Sequence, residues 1–167
     1  MSGVHWNIAV ELTEIPKNGA TYQMDATETD RLNVAKRISV PEILRLRGSV
    51  TITPTGSGAS VQGKINAEIK RICVASLEPF IEKIAEDFDV IFSRENKIND
   101  PDVDFIFSDS DPEPLEDDKI EPAELLIQQL ALSMAPYPKS TSARNLTEEF
   151  GKIGNSSPFS VLKDLKK

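Results

Sequence analysis

One cysteine, Cys73, and one histidine, His5, are the residues of this chain best suited to nucleophilic or metal chemistry. A structural zinc takes about four ligands, mostly Cys and His, which this pair cannot supply. A thiol becomes a nucleophile when a neighbouring base makes it a thiolate, and His5 sits far upstream beside Trp6 on an expected edge strand. Cys73 therefore reads as a small buried residue at a strand end. The acids Asp109, Asp111, Glu113, Glu116, Asp117 and Asp118 lack the glycine and ligand spacing of a calcium loop, and read as a solvated acidic loop. TGSGAS, residues 55–60, lacks the Lys-Ser or Lys-Thr of a phosphate-cradling loop and precedes a strand rather than a helix. No catalytic residue, metal or cofactor is expected, and the chain is not read as an enzyme.

Positive charge offers the better lead. The net charge is −8, but residues 31–73 hold eight basic and two acidic groups, whereas residues 74–134 hold four basic and seventeen acidic groups. Such polarity suits an RNA face, a face for a basic protein, or both. Arg45, Arg47, Lys64, Lys70 and Arg71 flank or sit on one expected hairpin, where they could contact phosphates without reading sequence. No aromatic residue lies between Arg31 and Phe80, so stacking on bases is not supported. A merely solvated face fits this signal equally well.

The elements that must position these residues follow from periodicity. Val50 and Ile52 alternate with polar neighbours, and after a Gly-Ser tip so do Val61, Ile65 and Ile69, which predicts a β-hairpin with a flexible tip. In 79–92, Phe80, Ile84 and Phe88 have helical spacing, while Phe88, Val90 and Phe92 alternate. A strand is preferred there because a two-stranded sheet is marginal in water. VHWNIAVEL, residues 4–12, predicts a first strand, and 13–30 reads as turn-rich. Thr27 or Thr29 caps a short helix that ends before Pro41. The clearest helix runs from about Pro122 to Met134, with Leu125, Leu126, Leu130 and Met134 near one stripe. Residues 103–107, VDFIF, predict a short edge strand, and 108–119 an extended mobile stretch.

A lone cysteine forms no intramolecular disulfide, the first residues have neither a basic nor an apolar leader region, and no stretch reaches the roughly 20 apolar residues that cross a bilayer. A cytoplasmic protein is expected.

Three stretches carry a family resemblance: IKRICVASLEPF (69–80), EPLEDDKIEPAELLIQQLALSMAPYPK (113–139) and SPFSVLKDLKK (157–167). With them the chain resembles the YceD family, the large ribosomal RNA subunit accumulation proteins, and particularly its alphaproteobacterial branch. Many members carry a C-x-x-C where this chain has Cys73 and then Ser76, so a metal or redox role of the pair does not carry over. The resemblance implies a non-enzymatic factor supporting 23S rRNA accumulation and large-subunit biogenesis.

Together these readings give an α+β fold: a small antiparallel sheet or partly open barrel with two or three helices, over residues 1–139. An acidic flexible loop is expected over about 95–119, and a polar linker and tail with a short terminal helix over 140–167. Expected partners are 23S rRNA or its precursor, contacted by Arg45, Arg47, Lys64, Lys70 and Arg71, and a basic large-subunit ribosomal protein. The acidic run with Phe159 and Leu162 would hold that protein. The alternative is an acidic adaptor or chaperone for such a protein without RNA contact. No membrane and no small-molecule substrate are expected.

Overall fold

Period-two alternation between residues 42 and 93 becomes a meander of three long strands in the computed structural model, which describes residues 6, 8–94, 112–115 and 117–141. Strands β3 (Glu42–Pro54), β4 (Gly58–Ile72) and β5 (Pro79–Ser93) pair antiparallel in sequence order. Strand β2 (Ala20–Asp25) adds to β3 at one edge, and β6 (Glu113–Pro114) pairs in parallel with the end of β5. The five-stranded sheet is therefore mixed and open rather than closed into a barrel. A second, two-stranded sheet joins β1 (Val10–Glu11) to β7 (Lys119–Ile120).

Helix α1 (Glu28–Arg37) starts at a reciprocal cap. The Thr27 hydroxyl accepts from the Asp30 N–H, and the Asp30 carboxylate accepts from the Thr27 N–H at 3.0 Å. Glu28 and Asp30 occupy its first turn and Lys36 and Arg37 its last, matching the helix dipole. Ser39, in the left-handed region at φ 57°, and the following Pro41 end it. Helix α2 (Pro122–Ser133) begins with proline at its first position, where the missing N–H costs no hydrogen bond. Its Leu126 and Leu130 are fully buried with Leu46, Val50, Ile52, Val61, Ile65 and Ile69 of the sheet. Each such leucine contributes about 1.5–3 kcal/mol by leaving water.

Close packing on this face requires small residues, Gly48 beneath α2 and Gly63 opposite Phe88 of β5. A Cβ on Gly48 would stand 2.6 Å from Leu126 Cδ2, and one on Gly63 would collide with the Phe88 ring that lies across it. Both helices meet on this same side, where the Arg37 guanidinium donates two hydrogen bonds to the Glu124 carboxylate. That contact holds Glu124 below its ordinary pKa and raises Arg37.

Several expectations need correction. Residues 13–30 are not all turn, since β2 passes through them; Ala20, Tyr22 and Met24 alternate with the exposed Thr21, Gln23 and Asp25, a short alternation set directly after Pro16, Asn18 and Gly19. The first strand shortens to Val10–Glu11, followed by a 3-10 turn at Leu12–Glu14. The hairpin begins earlier than Ser49 because a bulge between Ile43 and Arg45 breaks the alternation. Leu44 is the extra residue, so Ile43 and Leu46 both turn inward. The expected acidic loop contributes β6 and β7, and its Asp118 carbonyl accepts from the Leu12 N–H. The expected edge strand 103–107 and terminal helix lie outside the described residues.

Candidate nucleic-acid interface

Both helices cover one face of the sheet, so the other face is built from the alternate residues of four strands. Register places Gln23 and Asp25 of β2, Arg45, Arg47, Ser49 and Thr51 of β3, Gln62, Lys64, Asn66, Glu68 and Lys70 of β4, and Lys83, Ala85, Asp87 and Asp89 of β5 on it. The bulge at Leu44 sets which β3 residues these are. With Leu44 looped out of register, Arg45 pairs with Glu68 and turns to the open side.

Four of the five basic candidates share this face: Arg45, Arg47, Lys64 and Lys70. The fifth does not. Arg71 faces the helix side, where it is 11% exposed, donates to Glu82 at 2.7 Å and to the Ala135 carbonyl at 2.8 Å. It ties β4 and β5 to the segment after α2. Lys83 takes the vacated place on the open face, opposite Glu68 across the β4–β5 ladder. A strand reading of 79–92 with Phe88 and Val90 inward already puts Lys83 outward, which is the signal that locates it.

Arg45, Arg47, Asn66, Glu68, Lys83 and Ala85 surround a shallow hollow of about 450 Å³. A second hollow of about 310 Å³ lies between Thr51, Gln62, Lys64, Asp87 and Asp89. The electrostatics are less one-sided than the sequence suggests. Arg47 meets Asp25 at 2.8 Å, Lys64 meets Asp87 at 3.1 Å, Lys70 meets Glu42 at 3.5 Å and Lys83 meets Glu68 at 3.8 Å. Of these five cations Arg45 alone has no carboxylate partner among the described residues. Each pair is exposed, so it holds its partner by only about 0–1 kcal/mol and exchanges readily for another anion. The face offers guanidinium, ammonium, amide and hydroxyl groups but no aromatic ring, which suits contact with a sugar-phosphate backbone and not stacking on bases.

The partner-binding candidates are dispersed. Glu113 lies in β6, Asp117 and Asp118 form a turn with φ of 52° and 53°, and Asp118 accepts from Arg94 at 2.6 Å. Asp109, Asp111, Glu116, Phe159 and Leu162 lie outside the described residues. No group of three or more metal-ligating side chains occurs among the described residues. No helix among them is long and apolar enough to cross a membrane.

Cys73 is fully buried where β4 turns towards β5. Its Sγ accepts from the N–H groups of Ser76 and Ser140, each at 3.4 Å. The Ser76 hydroxyl first, then these N–H groups, lower the thiol from 9.0 to about 6, against burial, which raises it. The position that resembles a second cysteine thus supplies donors to the first.

The model of one protein family matches residues 61–166, the large ribosomal RNA subunit accumulation protein YceD. The chain belongs to the YceD family. Membership places it in the biogenesis of the large ribosomal subunit, in a family not known for catalysis. No curated protein and no solved structure matches the chain. Within the YceD match lie β5, α2 and most of β4, with Lys64, Lys70 and Lys83, whereas Arg45 and Arg47 precede it. Residues that carried the resemblance mostly serve as anchors: Ile120, Leu125 and Leu130 are buried, Glu124 binds Arg37, and the Pro138 carbonyl accepts from the Val74 N–H.

Proposed function

We propose that this YceD protein supports accumulation of 23S rRNA in the cytoplasm by holding the RNA backbone against the open face of its sheet. The observation behind this reading is the hollow ringed by Arg45, Arg47 and Lys83, on a face that neither helix covers. Incoming phosphates take over the cations from Asp25 and Glu68, since exposed ion pairs are weak and phosphate is a strong acceptor. Lys64 and Lys70 extend the contact along β4. Binding of this kind reads charge and shape and leaves base identity to other factors.

A second reading has its own support. Pairing of four of the five cations, with a net charge of −8, favours an acidic adaptor that holds a basic ribosomal protein and leaves RNA alone. Sedimentation of tagged protein against large-subunit precursors separates the two. On the RNA reading, R45E/R47E/K83E releases the folded protein from precursor fractions; undiminished co-sedimentation of that variant refutes it and favours the adaptor.

A further inference from the structure

Strand β5 is fifteen residues long, yet β6 pairs with only Phe92 and Ser93 of it. The Ser93 carbonyl accepts from the Leu115 N–H, so Ser93 turns its backbone polar groups away from β4. Register between β4 and β5 runs without a break from Ile72–Pro79 to Gly58–Ser93. Every second residue therefore does the same, which directs the N–H and C=O of Ile81, Lys83, Ala85, Asp87, Asp89 and Ile91 outward. None of these backbone groups has a partner among the described residues. A strand edge whose groups lack partners is a template for another strand, and proteins ordinarily blunt it; among the described residues nothing blunts this one.

The side chains along this edge specify what fits. Asp87 and Asp89 share one side of the pleat with Lys83, the only cation of the strand, Glu86 points to the other side, and Ile81 and Ile91 stand about half exposed towards its two ends. A second copy pairing antiparallel about Glu86, the strand's midpoint, would set Glu86 against Glu86, an unfavourable cross-strand arrangement, and would give a cation to Asp89 alone, opposite Lys83. A strand bearing Lys or Arg, with apolar residues opposite Ile81 and Ile91, meets opposite charge instead.

From this geometry we infer that the β5 edge binds an extended basic polypeptide segment of a partner protein by strand addition. Backbone hydrogen bonds supply affinity and the alternation of charge supplies selectivity. The site is built on the edge's backbone groups and shares only Lys83 and Ala85 with the hollow of the RNA-binding reading, so it does not require that reading.

Amide exchange on the full chain tests it, with a synthetic peptide of alternating lysine and threonine carrying a valine at each end. The expected result is slowing by about tenfold or more at Lys83, Ala85, Asp87 and Asp89. The same peptide with glutamate in place of lysine gives no slowing. Ala85→Pro removes an outward donor while leaving the β4 ladder intact, and weakens peptide binding by about tenfold or more. D87K/D89K, monitored for folding by circular dichroism, reads the same loss if the proline variant does not fold. R45A/R47A, altered on β3 beyond β4, keeps the full peptide response, so failure of the RNA reading leaves this result unaffected. Protection of these amides already in the free chain, an equal response to the glutamate peptide, or full peptide binding by D87K/D89K would overturn the inference.

Discussion

The two faces of one sheet use the same strands for opposite ends. On β4, Val61, Ile65 and Ile69 meet the helices with no exposed surface, while Gln62, Lys64, Asn66 and Lys70 between them face solvent. Arginine shows the contrast most sharply. Arg71 on the covered side is held by Glu82 and a backbone carbonyl, while Arg45 on the open side has no carboxylate partner among the described residues. On the covered side a cation is spent on structure; on the open side it remains available. Position along the pleat, not residue type, decides which.

Breaking the covered face should cost the most. Leu126→Ala, beneath which Gly48 has no side chain to fill the gap, is expected to lower stability by about 2–5 kcal/mol in urea unfolding. The folded fraction should keep its RNA affinity; a selective loss of affinity would erase the distinction between the faces. Arg71→Ala leaves the Glu82 carboxylate and the Ala135 carbonyl unpaired at a largely buried position, and is expected to cost about 2–3 kcal/mol. A change as small as those on the open face would show that Arg71 belongs with Arg45 after all.

Cys73 sharpens the contrast through pH. Its folded-state pKa lies near 6, below the ordinary 9.0, so the fold favours the thiolate. Stability from this group accumulates as pH rises from about 6 towards 9.0, and is lost as pH falls through about 6. Unfolding midpoints of Cys73→Ala should lack that rise, with RNA affinity unchanged. Ser76→Ala should move the thiolate absorbance transition to higher pH, and an unmoved transition would remove Ser76 from the account. Smallest of all, Lys64→Ala on the open face should change stability by less than about 0.5 kcal/mol, because its pair with Asp87 is exposed.

Much of this was legible in the sequence. The hairpin, the third strand, the capped first helix and the helix from Pro122 announce themselves through periodicity and caps. Strand β2 was hidden because its six-residue alternation follows the turn formers Pro16, Asn18 and Gly19, and the bulge at Leu44 disguised the first half of β3. The basic cluster was visible, but its neutralisation was not. Asp25, Glu42, Glu68 and Asp87 reach their cations across strands, and only register brings them there. The same register moved Arg71 off the face and brought Lys83 onto it.

The central claim is that the open face holds RNA through its cations. It is tested most directly by measuring affinity for a 23S rRNA fragment over a salt series, for the wild type and for R45A/R47A/K83A. The account predicts that log affinity falls linearly with log salt concentration, and that the variant's slope is shallower by about 2. No binding of the wild type at low salt, or an identical slope in the variant, would contradict it.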